Sequence, residues 1–257
     1  MLHVVDEGTG HPVVLLHAYP CDHTMWDAQA AALVAGGYRV VRPDLPGFGA
    51  SPVPTVEPAL HVMASAVFEA LDAAAVERFV LGGLSMGGYV AMEMLRQQPD
   101  RVRALALLDT KATPDTAAAA QTRYDTAARA ESQGSLAGMT EGMLGGLLGA
   151  TTLAQRPAVV SRTTGVIGSA SGAGAAWAMR AMAARPDSLP TLAAFDRPAV
   201  VLMGDEDALS PRGEHDLMAA ALPAGRLVVV PGCGHLSALE QPEAVARELA
   251  AFLADVG

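Results

Sequence analysis

The sequence has few of the features that mark secreted, membrane or nucleic-acid-binding proteins. It contains only two cysteines, Cys21 and Cys233, which excludes a disulfide-rich scaffold and favours two free thiols. No run of about 18 consecutive apolar residues is present, so the pattern predicts no membrane-spanning helix. Residues 1–7 lack the basic start and the apolar stretch of a signal peptide. Together these absences predict a cytoplasmic protein.

Basic charge is scarce as well. Lysine and arginine total 17 against 27 aspartates and glutamates, which gives a formal net charge of −10, and the basic residues form no cluster. This balance argues against nucleic acid and anionic membranes as partners, and it leaves a small molecule as the expected one. Aromatic residues make up only 4% of a chain that is 51% hydrophobic, so alanine, valine, leucine and methionine must build the core. The composition specifies no oligomeric state.

Short apolar runs alternate with amphipathic stretches along most of the chain. The runs at residues 2–5, 12–16, 38–41, 79–81, 104–108, 198–203 and 226–230 predict strands, several of them buried on both faces. Helical patterns cover residues 26–34, 57–74, 213–222 and 242–254, and a further helix after residue 85 should end near Pro99. Strands alternating with helices of this length predict an α/β fold with a mostly parallel, doubly wound sheet of about seven or eight strands.

The pattern changes between residues 111 and 186. Strand-like runs disappear, and four alanine-rich segments at residues 115–133, 136–148, 156–167 and 174–184 predict helices separated by glycines. Since this stretch lies between two strands of one sheet, we expect a helical cap, or lid, above the active site. Residues 1–110 and 187–257 would then form the core domain, and residues 111–186 the cap. Extra packing helices without a lid function are the alternative.

One glycine-rich turn joins a predicted strand to a predicted helix. Residues 83–87, with the sequence GLSMG, fit the pattern G-x-S-x-G, and an alanine- and methionine-rich helical pattern follows at once. This context is typical of a nucleophile elbow, in which a serine on a sharp turn exposes its hydroxyl. Small flanking residues let the strand and the helix approach closely. Ser85 is therefore the predicted nucleophile.

A serine hydroxyl needs a base to accept its proton and an acid to orient that base. His235 and Asp207 lie in loops that follow predicted strands, where the carboxyl ends of parallel strands meet. Other carboxylates compete with Asp207 for the role of the acid. Asp205 and Glu206 are its immediate neighbours, and Asp109 follows the preceding strand of the sheet.

Five motifs in the expected order make the chain resemble proteins of the α/β-hydrolase fold over almost its whole length. They are HAYP at residues 17–20, RPDLPGFGAS at 42–51, GLSMGG at 83–88, GDEDALSP at 204–211 and GCGHLSALEQPE at 232–243. Within that fold the chain is similar to the serine esterases and the 3-oxoadipate enol-lactonase-like proteins, with perhydrolases and non-haem haloperoxidases close by. The resemblance implies Ser85 as nucleophile, Asp207 as acid and His235 as base.

The resemblance also implies an oxyanion hole formed by two backbone N–H groups. One belongs to Met86, the residue after the nucleophile, and the other to Tyr19 in the loop after the second strand. Ala18 departs from the family pattern, in which glycine is usual at this position, so the local backbone geometry is open. The Tyr19 side chain either lines the pocket or packs within its loop.

No cofactor and no metal site are expected. The histidines outside the triad are scattered without metal-ligand spacing, and the glycines around Ser85 lack the G-x-G-x-x-G spacing of a dinucleotide site. Cys233 is expected to be a small packed residue close to His235. Five large side chains of the predicted cap either line an apolar pocket or pack in its interior: Met139, Met143, Trp177, Met179 and Met182.

These features together predict a cofactor-free serine hydrolase that cleaves a small carboxylic ester or lactone through an acyl-enzyme on Ser85. Serine at this position argues against haloalkane dehalogenase and epoxide hydrolase chemistry, for which the family uses an aspartate nucleophile. Three alternatives stay open. They are perhydrolysis with the same triad, hydrolysis of a carbon–carbon bond in a ring-cleavage dione, and ligand binding without catalysis on the same fold.

Overall fold

A single sheet of seven strands lies at the centre of the computed structural model, which describes residues 1–256. The strands are β1 (Val4–Glu7), β2 (Pro12–Leu16), β3 (Arg39–Pro43), β4 (Phe79–Leu84), β5 (Val102–Leu108), β6 (Ala199–Gly204) and β7 (Gly225–Val230). Their order across the sheet is β1-β3-β2-β4-β5-β6-β7. β1 runs antiparallel to β3, and the other five pairs are parallel. The predicted α/β fold with a mostly parallel sheet is confirmed.

The central strands are buried on both faces. β4 and β6 are buried along their whole length, and all but one residue of β2 and of β5 is buried. This burial explains their continuous apolar sequences, because a strand covered on one face only would alternate. β2 and β4 are neighbours in the sheet. The chain continues from β2 to β3 on one side of this pair, and from β4 to β5 on the other side. Such a reversal opens a crevice at the carboxyl ends of the strands.

Twelve α-helices accompany the sheet in residues 1–256. They are α1 (Asp27–Ala35), α2 (Leu60–Ala73), α3 (Met86–Gln97), α4 (Ala117–Gln133), α5 (Thr140–Leu147), α6 (Ala150–Gln155), α7 (Pro157–Ser169), α8 (Gly172–Ala183), α9 (Leu189–Ala193), α10 (Arg212–Ala221), α11 (Ser237–Glu240) and α12 (Pro242–Val256). Short 3-10 helices occupy His23–Trp26, Pro99–Arg101 and Ala137–Met139. In the described part of the chain, no helix has both the length and the apolar character needed to cross a bilayer.

The amphipathic pattern at residues 57–74 forms a helix, but α2 begins three residues later than predicted. Leu60, Met63 and Val67 are buried along one face of it. Pro58 disfavours helical backbone at the residue before it. Ala59 is extended, with φ −158° and ψ 147°. The helix therefore begins only after these two residues.

Helices α4–α9 occupy the stretch between β5 and β6. The predictions at residues 115–133, 156–167 and 174–184 correspond to α4, α7 and α8, whereas the one at 136–148 is divided into a 3-10 helix and α5. The short helices α6 and α9 lie outside the predicted ones, because an apolar pattern of five or six residues does not identify a helix. α4 packs along α8. The division of the chain into a core and a cap stays a prediction.

α8 lies against the loop that follows β3, at a point where two glycines meet. A Cβ atom on Gly174 would stand 2.0 Å from the carbonyl oxygen of Gly47. Gly47 has φ +87°, a left-handed conformation that glycine adopts at low cost. Further along α8, the indole Nε1 of Trp177 donates to the carbonyl oxygen of Val56 at 2.9 Å. The absence of a side chain at Gly174 is what permits this close approach.

We expect Gly174→Ala to lower the free energy of unfolding by about 1–3 kcal/mol, because the added methyl group overpacks the contact with Gly47. Gly165→Ala is the matched control, since Gly165 lies inside α7 and no neighbouring atom comes within 4 Å of its Cβ position. That substitution should raise the free energy of unfolding by about 0.5–1 kcal/mol. Urea denaturation followed by circular dichroism measures both. Equal effects of the two substitutions would contradict the close approach.

Candidate active site

Ser85 stands alone between a strand and a helix. β4 ends at Leu84, α3 begins at Met86, and Ser85 has φ 54° and ψ −113°. A positive φ is uncommon for a residue with a side chain and is maintained only where the surroundings enforce it. Here the backbone N–H of Ser85 donates to Leu108 O at 2.9 Å, and the Thr110 hydroxyl donates to Ser85 O at 2.8 Å. The neighbouring strand β5 therefore fixes the turn.

The two glycines of the G-x-S-x-G pattern are steric requirements of this turn. A Cβ atom on Gly83 would lie 2.3 Å from the carbonyl oxygen of Gly87. A Cβ atom on Gly87 would lie 2.1 Å from the carbonyl oxygen of Leu16, at the end of β2. Any side chain at either position would push the helix away from the strands. The strand–turn–helix context predicted for Ser85 is confirmed.

The structure brings Ser85, His235 and Asp207 together at the carboxyl ends of the strands. Ser85 Oγ lies 2.7 Å from His235 Nε2. On the other side of the ring, His235 Nδ1 lies 2.9 Å from Asp207 Oδ2 and 3.1 Å from Asp207 Oδ1. All three residues are buried. This is the geometry in which the imidazole can accept a proton from the serine while the carboxylate orients the ring.

The competing carboxylates have other partners. Asp205 Oδ1 accepts from the backbone N–H of Gly232 at 2.7 Å. Glu206 accepts from both the backbone N–H and the hydroxyl of Thr151. Of the four carboxyl groups weighed from the sequence, only Asp207 contacts the His235 ring within residues 1–256.

Asp109 is buried directly behind the triad. One of its oxygens accepts from the backbone N–H of Gly204 at 2.7 Å, and the other is hydrogen-bonded to the Ser237 hydroxyl. An oxygen of Asp109 and an oxygen of Asp207 lie within 4.8 Å of each other. Asp109 also has a positive φ of 43°. It connects the ends of β5 and β6 with the loop that carries His235.

The two neighbouring carboxyl groups have pKa values shifted in opposite directions. Burial raises the pKa of Asp207, but the charge and hydrogen bond of His235, with two backbone N–H groups, outweigh it and lower the pKa overall. Burial, followed by the negative charge of Asp207, raises the pKa of Asp109 well above its usual range. Asp207 is thus held as the anion, while Asp109 keeps its proton to higher pH than an ordinary aspartate.

Two backbone N–H groups near Ser85 have no acceptor among residues 1–256. They belong to Tyr19 and to Met86, the two residues predicted for the oxyanion hole. Met86 is the first residue of α3, where backbone N–H groups lack helical partners and the helix dipole is positive. Ala18 is not among the residues with a positive φ, so its backbone does not require the glycine that is usual there.

A cavity of about 460 Å³ opens beside Ser85 and His235, and the Tyr19 side chain lines it. The sequence left open which residues of the helices between β5 and β6 face the site. Met143, Met179 and Met182 line the cavity, whereas Met139 and Trp177 do not.

Three charged residues that sequence reasoning missed also line the cavity. They are Lys111, Asp115 and Arg123. No short motif contains them, and their only signal in the sequence is their place in and just before the first helix after β5. Which face of that helix is turned toward Ser85 depends on the packing of α4 on α8.

The histidines outside the triad are less scattered than the sequence suggests. His3 and His23 both contact the buried carboxylate of Asp44, with Nδ1–oxygen distances of 2.9 and 2.7 Å. The same carboxylate accepts from the backbone N–H groups of His23 and Ala50. This network fastens the loop after β3. His17 is buried, with Nε2 accepting from the backbone N–H of Leu45 and Nδ1 next to Ala18 O.

Neither cysteine is placed for nucleophilic chemistry. Cys21 and Cys233 are both buried, and neither forms a disulfide within residues 1–256. Burial raises the pKa of Cys21 to about 12, and burial together with neighbouring carboxylates raises that of Cys233 as well. A thiol that stays protonated is a poor nucleophile.

Comparisons with known proteins agree with the fold. The family model described as alpha/beta hydrolase fold matches residues 11–242. A thermophilic esterase from Thermogutta terrifontis, solved with malate bound, is 39% identical with a TM-score of 0.95, over 99% of this chain and 93% of that one. An enol-lactonase from Burkholderia xenovorans is 25% identical with a TM-score of 0.90, over 98% and 96% of the two chains.

Shorter matches connect the chain to enzymes of other chemistry. Epoxide hydrolase 3 from Siraitia grosvenorii is 37% identical over 116 residues, which is 44% of this chain and 36% of that protein. A fluoroacetate dehalogenase from a Burkholderia species is 38% identical over 107 residues, 40% of this chain and 35% of that protein. The chain thus spans about a third of the length of these two curated relatives. It belongs to the α/β hydrolase fold family.

The raised pKa of Asp109 has a measurable consequence for stability. Because the folded protein binds this proton more tightly than the unfolded chain, the carboxyl group stabilises the fold below about pH 4, near the ordinary pKa of aspartate. That contribution is lost as the pH rises through the raised pKa. Asp109→Asn keeps a neutral side chain of similar shape at every pH. We therefore expect the variant to gain stability relative to the wild type between about pH 4 and pH 8.

Urea denaturation of both proteins at the two pH values measures this difference. Asp196→Asn is the control, because Asp196 is exposed and should show no such trend. A difference between Asp109→Asn and the wild type that is independent of pH would contradict the assignment of a retained proton to Asp109.

Proposed function

We propose that this chain is a serine hydrolase that cleaves a small carboxylic ester or lactone through an acyl-enzyme on Ser85. The observation that carries the proposal is the 2.7 Å contact between Ser85 Oγ and His235 Nε2, on an imidazole whose other nitrogen faces Asp207. We also propose that residues 111–186 form the cap above this site, since Met143, Met179 and Met182 from that stretch line the cavity.

In the first half of the reaction, Ser85 Oγ attacks the carbonyl carbon and its proton passes to His235 Nε2. The N–H groups of Tyr19 and Met86 stabilise the negative oxygen of the tetrahedral intermediate, since both donors are otherwise unpaired. The bond to the alcohol oxygen then breaks, and His235 returns the proton to that oxygen. An alcohol leaves, and the acyl group remains on Ser85.

In the second half, water attacks the acyl carbon and gives a proton to His235. The intermediate collapses, His235 returns this proton to Ser85 Oγ, and the carboxylic acid leaves. One water is consumed for each ester bond broken. With a lactone the two products remain joined as one hydroxy acid. The lowered pKa of Asp207 keeps it anionic throughout, so it stabilises the imidazolium that forms twice in the cycle.

Serine at the elbow supports ester cleavage over the reactions of the epoxide hydrolase and dehalogenase relatives. A carboxylate nucleophile that opens an epoxide or displaces a halide forms an ester, which water can cleave at its carbonyl carbon. A serine hydroxyl that attacked the same carbon would form an ether, which has no carbonyl group for water to attack. Ser85 completes a catalytic cycle only with an acyl substrate. The full-length likeness to an esterase and to an enol-lactonase supports the same reading.

Turnover of short 4-nitrophenyl esters and labelling by a fluorophosphonate probe test this proposal. We expect the wild type to show both, and Ser85→Ala and His235→Ala to lose both. Asp207→Asn should reduce kcat by about 10⁴-fold, because the imidazole loses the anion that holds its tautomer. Asp205→Asn is the matched control, since Asp205 is two residues away and its carboxylate accepts from Gly232 instead.

The alternatives give different results in the same assay. Peracid formation faster than ester hydrolysis, after addition of hydrogen peroxide, would indicate a perhydrolase. Cleavage of a ring-cleavage dione in preference to the esters would indicate carbon–carbon bond hydrolysis. A folded wild type that neither turns over esters nor reacts with the probe would contradict the serine hydrolase and favour a ligand-binding protein.

A further inference from the structure

The cavity beside Ser85 contains more positive than negative charge. Lys111 and Arg123 line it, and Asp115 is the one carboxylate among its lining residues in the described chain. Asp207 is not a lining residue, because its carboxylate is turned toward the far side of the His235 ring. Lys111 makes no ion pair or side-chain hydrogen bond within residues 1–256. The cavity wall therefore carries two cations and one anion.

Asp115 does not neutralise Arg123, because it is shared with a second arginine. Asp115 Oδ2 accepts from Arg123 Nε at 2.5 Å, and Asp115 Oδ1 pairs with Arg185 Nη2 at 2.7 Å. The side chains of Asp115 and Arg185 are only 2% and 3% exposed, whereas that of Arg123 is 20% exposed. Arg185 is fixed further by its position 4.4 Å above the Tyr89 ring. One carboxylate thus serves two guanidinium groups, which leaves a net positive charge.

The other edge of the Arg123 guanidinium group has no strong acceptor. Nη1 contacts the sulfur atoms of Met179 and Met182, each at 3.6 Å. Thioether sulfur is a weak acceptor. Nη2 forms no hydrogen bond within residues 1–256. Arg123 is therefore anchored by Nε and offers its remaining donors to the cavity.

The Tyr19 hydroxyl is a second unused donor on the same wall. Tyr19 is 6% exposed, and its hydroxyl has no hydrogen-bond partner in the described chain. The ring is held edge-on against Phe48, with centroids 5.8 Å apart. Burial raises the pKa of this phenol while the charge of Arg123 acts in the opposite direction, so the hydroxyl keeps its proton close to the guanidinium group. A buried donor of this kind requires a partner that the protein does not supply.

We propose that Arg123, with Tyr19 Oη and Lys111, binds a carboxylate group carried by the substrate in addition to the ester or lactone that Ser85 attacks. This inference rests on the proposed function and names its substrate class: small monoanionic esters or lactones. A carboxylate accepts charge-assisted hydrogen bonds from a guanidinium edge and a hydroxyl at once. It would also neutralise the excess positive charge of the cavity. A neutral substrate would leave both donors unpaired.

Two substrates that differ only in charge test the proposal. Mono-4-nitrophenyl glutarate has a free carboxylate, and 4-nitrophenyl methyl glutarate has the same chain with that group masked. We expect the wild type to have a kcat/KM for the anionic ester about 10- to 100-fold above that for the neutral one, the range of a hydrogen bond to a charged group. Arg123→Gln should reduce this ratio by about tenfold or more. Arg123→Lys should restore part of it, since the charge is kept.

Arg129→Gln is the matched control, because Arg129 lies on the same helix and is exposed. It removes the same charge and should leave the ratio at the wild-type value. Inhibition of neutral-ester turnover by free glutarate gives a second readout on the wild type, which does not depend on any variant folding. We expect competitive inhibition that weakens as salt is added.

The outcomes separate the two proposals. A wild type that cleaves the neutral ester, shows no preference for the anionic one and is not inhibited by glutarate would overturn the carboxylate subsite and leave the serine hydrolase intact. The same conclusion follows if Arg129→Gln changes the ratio as much as Arg123→Gln, because the effect would then be one of overall charge. Failure to cleave either ester or to react with the fluorophosphonate probe would instead overturn the proposed function.

Discussion

The backbone of Ser85 is the constraint on which the rest of the site depends. A residue with a side chain keeps φ near 54° only if its neighbours leave no alternative, and here three strands contribute. β5 holds the turn through Leu108 and Thr110, β2 lies against Gly87, and β4 leads directly into it. The sheet order places these three strands side by side. The exposed serine hydroxyl is thus a product of strand packing rather than of the turn alone.

A second constraint is the separation of charge between two buried carboxyl groups. Asp207 and Asp109 lie close together, and both cannot be anions at low cost in a buried place. The Asp207 carboxylate contacts the His235 ring and accepts hydrogen bonds from two backbone N–H groups. The Asp109 carboxyl group is hydrogen-bonded to one backbone N–H and to the Ser237 hydroxyl. Asp207, which has more hydrogen-bonding partners, therefore carries the negative charge, and Asp109 retains its proton. The opposite pKa shifts of Asp207 and Asp109 therefore follow from the different sets of donors around the two groups.

The sheet and the triad could be predicted from the sequence because both depend on local patterns. Continuous apolar runs, glycines at the elbow, and the loops that end in Asp207 and His235 are each visible over a few residues. The cavity wall could not be predicted in this way. Asp115 pairs with Arg123 on the adjoining helix α4 and also with Arg185, which is 62 residues further along the chain than Arg123. Similarly, His3 and His23 approach Asp44 only after β1 pairs with β3.

The two sides of the cavity come from parts of the fold with different freedom to change. Ser85, His235 and the Tyr19 amide follow parallel strands of the central sheet, where a shift of one residue would disturb the pairing of the strands. Arg123, Met143 and Met179 stand on helices that lie between β5 and β6. Substitutions on those helices can alter the charge and width of the cavity without moving the elbow. This separation explains how one fold accommodates relatives named for esterase, lactonase, epoxide hydrolase and dehalogenase chemistry. Tyr19 is the exception, because it follows the buried strand β2 and its side chain also lines the cavity with a hydroxyl that is unpaired within residues 1–256.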